Sequence, residues 1–199
     1  MKPIANWDKV KPAAERIQLP KGGYVVKILN SKLVEFPDKN DPSVVAFSKL
    51  ELSIDIIEGE YKGYYETDYR AQTMEDKRWK GVVRQYVPKD DGSEKDEWTK
   101  SSFRAMTDAI EESNPEYHWD WNEAGLKGKI VGCLFRSEEW DYNGSQGWAT
   151  RPFKLIPANL IRDGKYKMPK DKPLKRTEPS FNTFDSFTGI DSNDDDLPF

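Results

Sequence analysis

The chain has 199 residues, 33% of them charged, with 31 Lys and Arg against 35 Asp and Glu and a formal net charge of −4. This length suits one domain with tails, no segment approaches the ~18 apolar residues of a membrane span, and the N-terminal residues lack the apolar core of a secretory signal. The single cysteine, Cys133, excludes an internal disulfide and fits a reducing compartment, so we expect a cytoplasmic protein with no membrane contact.

The N-terminal part of the chain predicts a lead-in followed by a long β-hairpin. Residues 1–21 are polar, and we expect at most a short helix there, around residues 6–16. A run rich in Val, Ile and Leu over residues 24–36 is separated by a Pro- and Asp-rich loop from residues 44–58. Apolar and polar residues alternate in this second run, which indicates a half-buried antiparallel strand. One side of this strand holds Ala46, Ser48, Leu50, Leu52, Ile54 and Ile56, and the outward side holds Phe47, Lys49, Glu51, Ser53 and Asp55.

The middle and later parts predict three more strands and one helix. Residues 59–78 are compatible with either strand or helix, and residues 79–87 predict a third strand. Residues 100–113 carry apolar side chains at i, i+3 and i+7, the spacing of an amphipathic helix. Residues 129–140 and 148–156 predict a hairpin, because an Asn-Gly pair lies in the turn between them.

Three strands, a helix and then a two-strand hairpin is the order of an OB-fold, a five-stranded barrel with the helix between strands three and four. We therefore predict a mainly β OB-fold domain over residues 22–168. Another small β-barrel or an α+β sandwich is the alternative. Aromatic residues make up 13% of the chain and include seven Trp, which suits either a base-stacking surface or a filled barrel interior.

The C-terminal part differs in charge from the rest of the chain. From Thr177 to Phe199 there is no Lys or Arg and there are six acidic residues, which leaves 29 acidic against 31 basic residues in residues 1–176. Such a polar segment cannot bury enough apolar surface to offset its ordering entropy, so we expect a flexible linker over residues 169–190. Its three Phe residues, spaced by three, would alternatively form a helical turn packed on the domain.

The last residues of the chain predict a partner-binding tip over residues 191–199. The chain ends in Asp194, Asp195, Asp196, Leu197, Pro198 and Phe199. Acidic residues steer a segment toward a basic surface, and a terminal aromatic ring with a free carboxylate can then dock in a pocket.

This ending resembles the acidic tip of bacterial single-stranded DNA-binding proteins, in which an Asp-rich run precedes an aliphatic-Pro-Phe terminus. The resemblance implies partners among replication, recombination and repair proteins. The body resembles the phage and prophage single-stranded DNA-binding proteins of Gram-positive hosts in residues 21–25, 59–64, 77–79, 109–117 and 126–132. This second resemblance implies a protein that coats single-stranded DNA during phage or prophage DNA replication or recombination, in the cytoplasm of a bacterial host.

Binding of single strands without sequence preference needs a basic groove and flat side chains that stack on bases. In an OB-fold these lie on the outer surface of strands two and three and on the flanking loops. We expect the DNA-binding residues to be Phe47, Lys49, Lys77, Arg78, Trp79, Lys80, Arg84, Tyr86, Arg136, Trp140, Tyr142, Trp148, Arg151 and Lys154.

Each group of these residues also has a structural interpretation. The lead-in would cover Phe47, Trp79 would be a core residue beside a solvated basic turn, and the aromatic residues of the last hairpin would cap the barrel. Trp119 and Trp121 are expected in the core or as a plug, and Cys133 in the core. Open strand edges would allow a homo-oligomer, although no residue pattern specifies one.

Signals of catalysis are weak. One His and one Cys exclude a zinc cluster and most Cys-His nucleophile arrangements, and there is no Gly-rich phosphate loop. We predict a protein that is not an enzyme and has no catalytic residue, metal or cofactor. Two alternatives stay open: a metal-dependent nuclease built on carboxylate pairs such as Asp55 with Glu58 or Glu138 with Glu139, and a protein-interaction module that mimics the host tip without coating DNA.

Overall fold

The computed structural model describes residues 17–174 and, near the N-terminus, residues 2, 3, 5, 6 and 8. Most of the predicted helix around residues 6–16, most of the predicted linker and the whole predicted tip therefore lie outside the described residues. The described elements are, in chain order, β1 (Gly22–Pro37), β2 (Val45–Ile56), α1 (Tyr64–Ala71), β3 (Val82–Val87), α2 (Glu94–Ser113), β4 (Ile130–Tyr142), β5 (Ser145–Ile156) and α3 (Ala158–Arg162). No helix in this part of the chain is long and apolar enough to cross a membrane.

The strands form one antiparallel sheet in the order β3-β2-β1-β4-β5. The predicted mainly β architecture with five strands is thus confirmed. A closed barrel is not confirmed, because β3 and β5 are the two edges of the sheet and no ladder joins them in the described residues. β3 has only 6 residues, against 12 in β5, so it offers little length for such a ladder.

The core lies on one face of the sheet, where α2 packs against it. The alternation predicted for β2 is confirmed at Leu50, Leu52 and Ile54, which are buried. Strands β1 and β4 and helix α2 supply further core side chains, among them Ile28, Val131, Cys133, Phe135, Phe103 and Ile110. One face of the sheet is therefore committed to the core, and on β2 the opposite face carries half-buried side chains such as Phe47 and Lys49.

Helix α2 begins six residues earlier than its apolar periodicity predicts. The hydroxyl of Ser93 accepts a hydrogen bond from the backbone N–H of Asp96 at 3.2 Å, which caps the helix. Acidic residues in the first turn also interact favourably with the positive end of the helix dipole. The added turns place Lys95 and Trp98 on the helix.

The ambiguous segment 59–78 contains α1, and Asp55 determines where this helix starts. The Asp55 carboxylate accepts hydrogen bonds from the backbone N–H groups of Tyr65 at 3.0 Å and Glu66 at 3.2 Å. The alternation predicted for β2 placed Asp55 on the outward face, but its side chain is buried as the cap of α1. A carboxylate that satisfies helix N–H groups is stable at low exposure, because those groups would otherwise lack partners.

The segment after β5 contains a short helix, α3, that packs against β1 and β4. Ile161 of this helix lies over two glycines. A Cβ atom at Gly23 would lie 2.3 Å from the Ile161 side chain, and one at Gly132 would lie 2.7 Å from the same side chain. The close approach of α3 therefore requires glycine at both positions.

Candidate nucleic-acid interface

Three aromatic rings and one lysine form a continuous surface on the outer side of β1, β2 and β3. Phe36 lies opposite Phe47, and Lys49 lies opposite Tyr86. The ring centroids of Phe36 and Phe47 are 4.6 Å apart and those of Phe47 and Tyr86 are 5.6 Å apart. Lys49 Nζ lies 4.5 Å from the centre of the Tyr86 ring. We call Phe36, Phe47, Lys49 and Tyr86 the aromatic face.

The aromatic face brings together side chains that the alternation of β2 and β3 predicted on one side of the sheet. Phe36 was missed, although its position opposite Phe47 follows from the register of the β1–β2 hairpin. Flat rings next to an ammonium group suit a nucleotide, because a base can stack on a ring while its phosphate approaches the charge.

The gap between the sheet edges β3 and β5 forms a second surface, a groove with two connected halves. We call it the seam groove. Its hairpin half has a volume of about 930 Å³ and runs between β3 and the β4–β5 hairpin. Its helix half has a volume of about 540 Å³ and runs between β3, β5 and α2. Arg84, Arg136 and Phe153 line both halves, so the groove is continuous.

Cationic side chains dominate the lining of the hairpin half. Its cations are Arg78, Lys80, Arg84, Arg136 and Arg151, and its carboxylates are Asp68 and Glu138. A cleft lined mainly by one sign of charge concentrates the opposite charge from solution. The hairpin half therefore attracts an anionic chain.

Several of these cations already form ion pairs at the surface. Lys80 pairs with Asp68 at 2.9 Å and Arg84 with Glu51 at 2.6 Å. Arg136 lies 3.0 Å and Arg151 3.8 Å from the same Glu138 carboxylate. The Lys80, Arg84 and Arg151 side chains are about half exposed, and ion pairs of exposed side chains contribute only about 0–1 kcal/mol each. Phosphate groups can therefore replace the carboxylates at these three cations at little cost, whereas Arg136 is mostly buried beside Glu138.

Trp148 is the most exposed aromatic side chain of the hairpin half, with 46% of its surface accessible. The Gln18 side chain donates a hydrogen bond to the Trp148 backbone carbonyl oxygen at 3.2 Å, which ties this part of β5 to the segment before β1. Phe153 lies deeper in the groove, and its ring centre is 4.5 Å from the Arg136 guanidinium carbon. Trp148 thus offers a flat surface at the groove wall.

The remaining aromatic residues predicted on the last hairpin lie outside this groove. Trp140 covers its cross-strand neighbour Gly147, where a Cβ atom would lie 2.8 Å from the indole ring. Tyr142 is 72% exposed at the end of the hairpin. Lys154 lines the helix half instead. The hairpin therefore presents Trp148, Arg151 and Lys154 to the groove, whereas Trp140 and Tyr142 lie near the β4–β5 turn, outside the groove.

Trp79 belongs partly to the core. It precedes β3, which begins at Val82 rather than at residue 79. Its indole N–H donates a hydrogen bond to the Ile54 carbonyl oxygen at 3.0 Å, and its ring packs against the buried Tyr65 with centroids 6.4 Å apart. One edge of the indole lines the hairpin half, so Trp79 forms a wall of the groove while it supports the fold.

The neighbours of Trp79 in the predicted basic cluster are placed separately. The Gln72 side chain holds the Arg78 backbone through two hydrogen bonds of 2.9 Å, which orients the segment before β3. Lys77 Nζ lies 5.8 Å from the centre of the Tyr69 ring and does not line the seam groove. Arg78, Trp79 and Lys80 therefore line the groove, whereas Lys77 lies beside α1.

Replacing Trp79 by Ala is expected to lower the free energy of unfolding by about 2–3 kcal/mol. Large-to-small changes at fully buried aromatic residues cost about 3–5 kcal/mol, and Trp79 is only half-buried. Chemical denaturation of the two proteins measures this difference. Replacing the more exposed Trp148 by Ala is the matched control and should change stability by less than about 0.5 kcal/mol. Equal stability of the Trp79→Ala variant and the unmodified chain would show that Trp79 is not part of the core.

The carboxylates considered for a nuclease site all have structural contacts. Asp55 caps α1, as described above, and Glu58 pairs with Arg162 at 2.6 Å. The hydrogen bond from this guanidinium group lowers the pKa of Glu58 below its usual value. Glu138 pairs with Arg136, and Glu139 accepts a hydrogen bond from the backbone N–H of Leu174 at 3.0 Å.

The two tryptophans after α2 differ from each other. Trp119 packs against the core, as predicted. Trp121 is 72% exposed, so the prediction that it is a core or plug residue was wrong. Its backbone has a φ of 65°, which turns the chain outward, and its ring stacks on the Phe103 ring at 6.0 Å. Cys133 is fully buried as predicted, and burial raises the pKa of its thiol.

Comparison with known proteins gives no family assignment. No protein-family model matches the chain, and no curated protein matches it either. The function must therefore be inferred from the aromatic face, the seam groove and the residues at the C-terminal end.

Proposed function

We propose that this protein binds single-stranded DNA through the aromatic face and the seam groove and coats it without cleaving it. The observation that supports this most strongly is the charge of the hairpin half, where five cations and two carboxylates surround a groove walled by Trp148 and Trp79. Cations and exposed rings on one surface are the two requirements for binding single strands without sequence preference.

In this proposal the cations and the aromatic rings have different tasks. Lys80, Arg84 and Arg151 contact phosphates, and release of the counterions from those phosphates drives association. Phe47 and Trp148 stack on bases. Stacking of this kind requires bases that are free of their neighbours, so a duplex cannot use the rings. The protein is therefore selective for single strands and indifferent to sequence.

We also propose that the open sheet is an OB-fold whose barrel is interrupted between β3 and β5. The strand order and the position of α2 between β3 and β4 support this assignment. OB-folds are partly open barrels that bind oligonucleotides on strands two and three and on the adjacent loops. The aromatic face on β1–β3 and the β4–β5 hairpin correspond to these positions.

The C-terminal sequence supports a second role in the same proposal. Residues 191–199 would recruit replication, recombination or repair proteins of a bacterial host, as the resemblance of the tip implies. The body would coat single strands during phage or prophage replication or recombination, and the tip would bring enzymes to the coated strand. A protein-interaction module that only mimics the host tip shares this feature but has no use for the seam groove.

A competition experiment tests the proposal. The full chain is bound to a labelled single strand of about 16 nucleotides, near the upper site size of an OB-fold. Unlabelled single strand should then displace the labelled strand from the protein at a concentration at least about 30-fold lower than the concentration of a duplex of the same sequence that is needed. This factor follows from the loss of two stacking contacts of at least ~1 kcal/mol each in the duplex. Equal displacement by both competitors would contradict the proposal, and absence of binding would favour the interaction module.

A further inference from the structure

One face of α2 lines the helix half of the seam groove. Lys95, Trp98, Ser102 and Ala105 are spaced by three, four and three residues, so their side chains project from the same side of the helix. Trp98 is 43% exposed there. An exposed Trp in a groove is a flat surface of the type that stacks on nucleobases.

Among the charged residues that line the groove, carboxylates occur in the hairpin half but not in the helix half. Its cations are Arg84, Lys95, Arg136, Lys154 and Lys172, and no carboxylate of the described residues lines it. The acidic residues of the first turn of α2, Glu94, Asp96 and Glu97, are not among its lining residues. The helix half therefore attracts phosphate groups even though α2 as a whole carries acidic residues.

The helix half continues directly from the surfaces assigned to DNA above. Arg84, Arg136 and Phe153 are shared with the hairpin half. Tyr86 lines the helix half and also stands next to Phe47 in the aromatic face. A strand that leaves either surface can thus reach the half that contains Trp98 along residues that the two surfaces share with it.

We propose that the bound DNA strand extends past β3 onto α2, where Trp98 stacks on a base and Lys95 contacts a phosphate. This extends the binding surface beyond the strands and loops expected of an OB-fold, and it rests on the proposed function. The geometry assigns to α2 a direct role in binding in addition to its role in covering the core.

Two substitutions in the full chain test this assignment with oligo(dT) of about 16 nucleotides. Trp98→Ala should weaken binding by about 5- to 150-fold, the range for loss of one base stack. Trp98→Phe should restore most of the affinity, because a ring remains. Lys95→Gln should make the dependence of log affinity on log salt concentration shallower by about 0.7, the contribution of one phosphate contact to a single strand.

A matched control separates this role from a general effect of losing an exposed Trp. Trp121 is exposed, stacks on Phe103 of the same helix and lies outside both halves of the seam groove. Trp121→Ala should leave the affinity within about twofold of the unmodified chain. Thermal melting of each variant shows whether it is folded.

Photocrosslinking of the unmodified chain gives a test that needs no substitution. Oligonucleotides carrying 5-iodouracil at successive positions are irradiated, and the crosslinked peptides are identified by mass spectrometry. The peptide containing Trp98 should be crosslinked from a subset of positions. If the chain binds DNA but Trp98 is not crosslinked and Trp98→Ala binds normally, the role of α2 is overturned and the proposed function stands. If the chain binds no single-stranded DNA at all, both fail.

Discussion

The double substitution Phe47→Ala with Trp148→Ala is expected to weaken binding of oligo(dT) by at least about 30-fold. The two rings lie on different surfaces, Phe47 on the aromatic face and Trp148 at the wall of the hairpin half. Each base stack contributes roughly 1–3 kcal/mol, and contributions from separate sites add approximately. Fluorescence anisotropy of a labelled oligonucleotide at low salt measures the change.

The controls for this experiment use the same kinds of residue. Trp121→Ala removes an exposed Trp outside the seam groove and should leave the affinity unchanged. Each single substitution should give an intermediate loss. Neither Phe47 nor Trp148 belongs to the buried core, so the double variant should remain folded, which circular dichroism can verify. A folded double variant with unchanged affinity would remove the stacking mechanism from the proposal.

Deletion of residues 191–199 is expected to abolish capture of the partner proteins while DNA binding persists. The deleted segment holds Asp194, Asp195, Asp196 and the Leu-Pro-Phe end. It lies outside the described residues, so this prediction rests on its sequence. Pull-down of purified host replication and repair proteins by the full and shortened chains measures the loss.

The same deletion is expected to strengthen DNA binding at low salt. The cations of the seam groove attract any nearby polyanion, and the deleted segment carries four acidic residues (Asp191, Asp194, Asp195 and Asp196) together with an aromatic end. A tip that competes with DNA for the groove would lower the apparent affinity of the full chain, and salt would reduce the difference. Unchanged DNA affinity after deletion would show that the tip serves partner proteins alone.

In the pull-down experiment, capture of the partner proteins by the shortened chain would contradict the recruiting role of the tip.

The fold could be predicted where local patterns determine it. The alternation of β2 and the Asn-Gly turn between β4 and β5 are signals within a few residues, and both hairpins were predicted from them. The start of α1 could not be predicted, because it depends on the Asp55 carboxylate, about ten residues earlier in the chain. Helix α3 depends on space above Gly23 and Gly132, which only the packed sheet creates.

The candidate site was predictable in part for the same reason. Strand alternation placed Phe47, Lys49 and Tyr86 together, since residues two apart share a face of a strand. The seam groove was not predictable as a surface, because β3 and β5 are distant in sequence and only the curvature of the sheet brings their edges together. Trp98 was missed because the predicted helix began at residue 100, after the turns that the Ser93 cap adds.

The most direct test of the central claim is a titration of labelled oligo(dT) with the full chain over a range of salt concentrations. Neutralisation of each phosphate changes the slope of log affinity against log salt concentration by about −0.7 for a single strand. If at least four groove cations, such as Lys80, Arg84, Arg151 and Lys154, contact phosphates, binding should be tight at low salt with a slope of about −3 or steeper. Absence of binding at low salt, or an affinity independent of salt, would contradict the claim.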